Sequence, residues 1–342
     1  MKNKKKYILM FLFFVIIIFL TFSSIFDHNS FISIVNDIKK VNVIYILVCL
    51  LIVCIYFLIQ GIYMKSILNA LKKKITLKKG IFYSLIEFYF SGITPSSTGG
   101  QPVQLYYMTK DKIPMRKSYI TLMLNTIYFK LILILLGIFV LIFKNNFLFN
   151  HSMIYIIFFI LGFFVDFVII IGCYLLLFKQ KFIKKILFFI LKICKKSKFL
   201  NNKIKDINIT TILTKYKDEL KFINSNKKIV IINFFITFIQ RLLLFSIAFV
   251  IYKSLGFNKY NYFDLLAIQV SVQLAIEALP LPGGVGLSEK MFHDIFITIF
   301  GFGVADCGML LTRTFSFYIP LLVSGSIIGI NFIINRRKKK LK

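Results

Sequence analysis

Four charged side chains, Glu87, Glu277, Glu289 and Arg313, flank or follow two Pro/Gly-rich interruptions of apolar sequence: Thr94-Pro-Ser-Ser-Thr-Gly-Gly-Gln-Pro102 and Leu279-Pro-Leu-Pro-Gly-Gly-Val-Gly-Leu-Ser-Glu289. The chemistry open to such a set is capture of charged groups. New helical turns are expected after Gly99-Gly100-Gln101-Pro102 and after Pro282-Gly283-Gly284-Val285-Gly286, with Ser288 as N-cap and Glu289 in the first turn. Helix N-termini carry free N–H groups and a partial positive charge, which suits a phosphate. Pro95 opens the first break, Ser96, Ser97 and Thr98 add hydroxyls, and Gln101 and Gln104 follow. Gly-Gly pairs let a ligand approach the backbone closely.

Three more charges, Lys130, Asp166 and Arg241, fall near the middle of long apolar runs. Each costs about 2.5–3.5 kcal/mol at a bilayer centre unless it is paired or hydrated. Pairing of Asp166 with Lys130 or Arg241 is therefore one expectation, and a polar cavity is the other. Cys49, Cys54, Cys173, Cys194 and Cys307 are scattered without a C-x-x-C, and His28, His151 and His293 are equally dispersed. Neither a metal site nor a disulfide framework is indicated. No phosphate-binding G-x-x-x-x-G-K-[ST] loop occurs, and no cofactor is expected.

The elements that must position these residues are membrane helices. With 58% hydrophobic residues and a mean hydropathy of +0.82, the chain reads as an all-α polytopic membrane protein. Runs at 7–26, 41–64, 119–143, 153–178, 229–252 and 307–334 reach the roughly 20 residues that a span requires. The first follows Lys2, Lys4, Lys5 and Lys6 and reads as a retained anchor rather than a cleaved signal. Segments 81–94, 264–279 and 291–306 fall short, and they flank the two breaks. Backbone that leaves helical geometry at membrane depth survives only where protein buries it or it lines a cavity. The expectation is thus about six transmembrane helices plus two Pro/Gly-broken re-entrant hairpins, 81–108 and 264–306.

A net charge of +31 would indicate nucleic acid in a soluble protein, so the placement of the charge decides. Six spans put both termini on one side, and that side then holds 35 of the 44 Lys and Arg residues. The positive-inside rule makes it the cytoplasm, with the protein in the cell membrane. The first hairpin then enters from the cytoplasm and the second from outside, an arrangement that inverted-repeat transporters use to build sites at the midplane. Segment 179–228 carries 15 lysines and reads as a cytoplasmic amphipathic segment lying on anionic lipid. Gly325 and Gly329 form a small-xxx-small pattern that is read as packing.

At Pro282-Gly-Gly-Val-Gly286 followed by Glu289, at Thr94-Pro95 with Gly99-Gly100, and at Arg313 ahead of Pro320, the chain resembles the flippase-like membrane domain of lysylphosphatidylglycerol synthases. The likeness extends over nearly the whole chain, read as one membrane domain over 1–342. Many relatives have Glu and Arg where this chain has Gln101 and Gln104. The resemblance implies movement of an anionic or aminoacylated phospholipid, such as lysyl-phosphatidylglycerol, between leaflets, which lowers the negative surface charge met by cationic antimicrobial peptides. Two-domain relatives add a soluble lysyl-transfer domain. The sequence reads as the membrane half without it, so lysyl transfer from tRNA is not expected. On this reading Glu277, Glu289 and Glu87 meet a cationic headgroup, while Arg313 and the hairpin N-termini hold the phosphate. The alternatives are a lipid-modifying membrane enzyme with Glu289 as general base, a non-catalytic partner of a separately encoded lipid synthase, and a polyprenyl-phosphate transporter. The expected partner is phospholipid, not nucleic acid.

Overall fold

A computed structural model describes residues 36–39, 41–94, 97–145, 153–179, 218, 220–221, 225–277, 287–301 and 303–340; it leaves out the side chains of 154, 287–293 and 335–340. The expected span at 7–26, most of segment 179–228, Pro95, Ser96, Pro282, Gly283, Gly284 and Gly286, and the side chain of Glu289, lie outside the described residues. The secondary structure is helical throughout the described elements. In chain order these are α1 (Val43–Ala70), α2 (Leu77–Gly92), α3 (Gly100–Lys110), α4 (Met115–Phe143), α5 (Met153–Phe178), α6 (Lys227–Ser254), α7 (Tyr262–Glu277), α8 (Leu287–Phe300), α9 (Ala305–Arg313) and α10 (Ile319–Lys340). A π turn, Thr314–Tyr318, joins α9 to α10.

Among the described residues, five stretches are long and apolar enough to cross a membrane: Val43–Ala70, Met115–Phe143, Tyr155–Phe178, Lys227–Ser254 and Ala305–Ile334. They coincide with five of the six expected runs. Between them sit the shorter helices α2, α3, α7 and α8, of 16, 11, 16 and 14 residues. At 1.5 Å per residue the longest of these covers about 24 Å, less than a hydrocarbon core of about 30 Å.

The burial pattern departs from that of a protein folded in water. Ile157, Ile160, Phe164, Phe167 and Ile171 of α5 are exposed, while Gln60, Asn125, Lys130, Asp166, Asn233 and Gln240 are buried. In lipid, apolar side chains need no cover and polar groups must find partners inside. Several do so between helices. Gln60 Nε2 of α1 donates to Asn125 Oδ1 of α4 at 3.1 Å, Asn233 Nδ2 of α6 donates to Ser66 Oγ of α1 at 2.8 Å, and Gln240 Nε2 donates to the Tyr56 carbonyl at 3.2 Å. Helices α1, α4 and α6 are thereby stitched into one frame, and α2 and α7 pack on it.

Two glycines permit the closest of these approaches. A Cβ on Gly162 of α5 would stand 1.7 Å from the Leu274 carbonyl oxygen of α7, so those two backbones touch directly. A Cβ on Gly100 would meet Ser91 Oγ at 2.1 Å and the Glu87 carbonyl oxygen at 2.6 Å, so α3 starts hard against the end of α2. In the last span Gly325 packs on the Tyr89 ring, whereas Gly329 has nothing within 4 Å of where its Cβ would be.

Candidate functional site

The first break is closed by its own residues. Thr94 Oγ1 donates to the Phe90 carbonyl at 2.6 Å and accepts the Gly99 N–H at 2.8 Å, while Ser91 Oγ donates to the Ser97 carbonyl at 3.3 Å. Ser97 takes a left-handed φ of 54° in this turn. Thr98, next in the chain, is exposed, and α3 begins at Gly100, three residues earlier than expected. Pro102 therefore falls in the first turn, where a helix has no use for its missing N–H. Since Gly99 gives its N–H to Thr94, the first-turn donors without a carbonyl partner inside the helix are Gly100 and Gln101. Gln104 is fully buried, with Nε2 3.9 Å from Met64 Sδ. In the second hairpin α8 begins at Leu287, which puts Ser288 and Glu289 inside its first turn rather than Ser288 at the cap.

Each hairpin is pinned at its open end by a Lys–Asp pair. For α2 and α3, Lys79 Nζ lies 3.0 Å from Asp111 Oδ2, which also accepts from the Tyr83 hydroxyl at 2.7 Å. At the base of α7, Lys144 Nζ donates to Asp264 Oδ1 at 2.7 Å, and Asp264 and Asn261 cap each other's backbone N–H. The inner ends then converge on α4. Gln101 Nε2 donates to Thr126 Oγ1 in a close contact, and Lys130 Nζ donates to Glu277 Oε2 at 2.5 Å. Thr126 and Lys130 are four residues apart, so both tips meet the same face of α4 one turn from each other.

At the second tip the polar groups are charged. Lys130 stands 2.7 Å from Asp166 Oδ1 of α5 as well as 2.5 Å from Glu277, and Gln273 Nε2 donates to the other Glu277 oxygen at 3.2 Å. Of the two partners expected for Asp166, the geometry brings Lys130. Arg241 instead lies over the Phe129 ring at 3.5 Å and within electrostatic reach of Glu87 and the Tyr56 hydroxyl. The Lys130 ammonium is 5.2 Å from that same Phe129 ring. A cation over an aromatic face is worth about 2 kcal/mol or more when desolvated.

Arg313 ends α9, buried, with its guanidinium 4.8 Å over Phe317 and 5.9 Å from Tyr318 in the π turn. Phe317 lies against Gly92 at the end of α2 and near the Phe88 ring. The geometry thus places Arg313 toward the first hairpin, on the far side of one aromatic ring. The wider π turn re-aims residues on either side of it, and such turns are frequent at functional positions.

Sequence reading did not single out Thr126, Phe129 or Gln273. The signal was present as spacing: Gln273 and Glu277 are four apart on α7, as Thr126 and Lys130 are on α4.

The fold and these contacts define a polytopic α-helical membrane protein in which the start of α3 and the end of α7 meet one face of α4. The chain matches the family described as Lysylphosphatidylglycerol synthase TM region over residues 7–324 of its 342, and it belongs to that family. No curated protein matches it as a relative. The family relates to phospholipid metabolism in the membrane, which fits a phospholipid partner.

Proposed function

We propose that this chain moves an anionic or aminoacylated phospholipid between leaflets, with α2–α3 and α7–α8 as re-entrant hairpins inserted from opposite faces of the cell membrane. The observation that carries the reading is the meeting of both tips on one face of α4, at Thr126 and Lys130. A headgroup crossing a bilayer needs polar partners from each side that hand over near the middle. The first tip supplies Gly100 and Gln101 N–H groups and hydroxyls for a phosphate, with Arg313 one ring away. The second supplies Glu277, and Glu289 in the first turn of α8, for a cationic group. Since Lys130 already occupies Glu277, a cationic headgroup competes with an internal ammonium for that carboxylate. Both termini are assigned to the cytoplasm by the lysine distribution. Export of an aminoacylated lipid would lower the attraction of cationic peptides to the surface.

The test is reconstitution into liposomes with fluorescent phosphatidylglycerol, its lysyl ester and a polyprenyl phosphate. Exchange of one or both phosphatidylglycerol species is expected, with most of it lost in Glu277→Gln, Glu289→Gln and Arg313→Gln at unchanged expression. Wild-type rates in all three variants would remove the site assignment. Exchange of the polyprenyl phosphate alone would replace the substrate. For the hairpins, cysteines introduced at Thr109 and Met115 should react in intact cells only with a membrane-permeant reagent, and one at Asn258 also with an impermeant one. External labelling at Thr109 would overturn the re-entrant arrangement.

A further inference from the structure

Among the described residues, the group at the end of α7 is out of charge balance. One ammonium, Lys130, faces two carboxylates, Asp166 and Glu277, at 2.7 and 2.5 Å. Counting the nearby Arg241 and Glu87 adds one charge of each sign and leaves the sum at −1. The Lys130 side chain is 8% exposed, that of Asp166 0% and that of Glu277 18%. Asp166 Oδ2 has no hydrogen-bond donor, although it is fully buried. An uncompensated charge at membrane depth costs several kcal/mol, and the cheapest remedy is a bound cation.

The surroundings offer no second positive charge among the described residues that face the cluster. Helix α4 turns Lys130 toward it, α5 turns Asp166 and, within electrostatic reach of Lys130, the Cys173 thiol, and α7 turns Glu277 and the neutral Gln273. Tyr155 of α5 is engaged with Ser271 of α7. From α6 the nearest charge is Arg241, which lies over Phe129 and serves Glu87. The Lys144–Asp264 pair at the base of α7 is balanced. On α8 Asp294 is exposed, and the side chains of Glu289, Lys290 and His293 are outside the described residues.

We propose that Lys130, Asp166 and Glu277 form a buried proton-binding site that holds one proton. A metal cation is the poorer occupant, because the Lys130 ammonium already fills the position between the two carboxylates. A proton needs no such space: hydronium gives up H⁺ to one carboxylate oxygen, an O–H bond forms there, water leaves, and the cluster becomes neutral. Asp166 is sealed and Glu277 is the part-exposed member at the end of α7, so Glu277 is the port through which the proton enters. If lipid moves beside that residue, as proposed above, its passage and the proton's use the same carboxylate. The site itself stands whether or not lipid is the cargo.

The experiment is infrared spectroscopy of the full chain in nanodiscs, with a pH titration. A protonated carboxyl gives a C=O stretch above the amide I band that shifts in D₂O. The wild type is expected to show this band at neutral pH and lose it on alkaline titration. Asp166→Asn and Glu277→Gln each leave one ammonium with one carboxylate, so each should lack the band. Where a variant fails to fold, ¹³C-labelled aspartate or glutamate in the unaltered chain tells, by moving the band, whether an aspartyl or a glutamyl carboxyl holds the proton. Absence of any difference between wild type and the folded variants, or a band that moves with neither label, overturns the site. Loss of the band on adding sodium at fixed pH overturns the proton in favour of a metal cation. Lipid exchange is measured separately in the same preparation, so failure of the transport reading leaves the infrared result standing.

Discussion

The two hairpins share a plan and differ in chemistry at their tips. Each is tied at its base by a Lys–Asp pair and each reaches α4 with one side chain, yet the first tip is a neutral Gln101–Thr126 contact and the second is a three-charge cluster. The neutral tip closes on itself through Thr94 and Gly99, and so has little to lose when its contact to α4 breaks. The charged tip depends on partners from two other helices. One hairpin is therefore held by its own turn and the other by the bundle.

The largest effect is expected from Lys130→Met, which leaves Asp166 and Glu277 buried without their cation. Removing one partner of a buried ionic group costs about 3–5 kcal/mol, so thermal unfolding should fall steeply, and recover in part as pH is lowered and the carboxylates take up protons. The same measurement on Gln101→Ala should show a far smaller loss, since interhelical hydrogen bonds in membranes average about 0.6 kcal/mol. Equal losses would erase the distinction between the tips.

Next in size is the backbone contact that seats α7. Gly162→Ala forces α5 off the Leu274 carbonyl and should cost about 1–3 kcal/mol by overpacking. Gly100→Ala should cost less, because Ser91 Oγ can rotate away even though the Glu87 carbonyl cannot. Thermal denaturation of the two variants ranks the hairpins by how firmly each is clamped.

The smallest effects belong to the bases. Asp111→Asn removes a pair whose side chains are 37% and 50% exposed, worth about 0–1 kcal/mol and screened by salt. Asp264→Asn removes a more sheltered pair and a cap, and should exceed it. A melting temperature for Asp264→Asn that responds to salt as strongly as that of Asp111→Asn would place both bases in water.

Much of the fold was legible from run lengths. Five long apolar runs became five candidate spans, and the segments too short to cross became the paired helices beside each break, because length against bilayer thickness is a property of sequence alone. The site was legible only in outline. Lys130, Asp166 and Glu277 each announced themselves as charges in apolar surroundings, but their meeting depends on how α7 lies along α4, with 147 residues between Lys130 and Glu277. Arg241 found the Phe129 face and Glu87 rather than Asp166, since Phe129 was one of many phenylalanines until packing chose it. The π turn after Arg313 left no mark in composition.

Helix α4 is a single rod of 29 residues carrying both Thr126 and Lys130. A rigid rod has one angle of roll, and its residues four apart keep nearly the same bearing about the axis. A roll that swings Lys130 away from Glu277 therefore swings Thr126 away from Gln101 through the same arc. In kinematic terms the two hairpin contacts are not two latches but two teeth on one shaft.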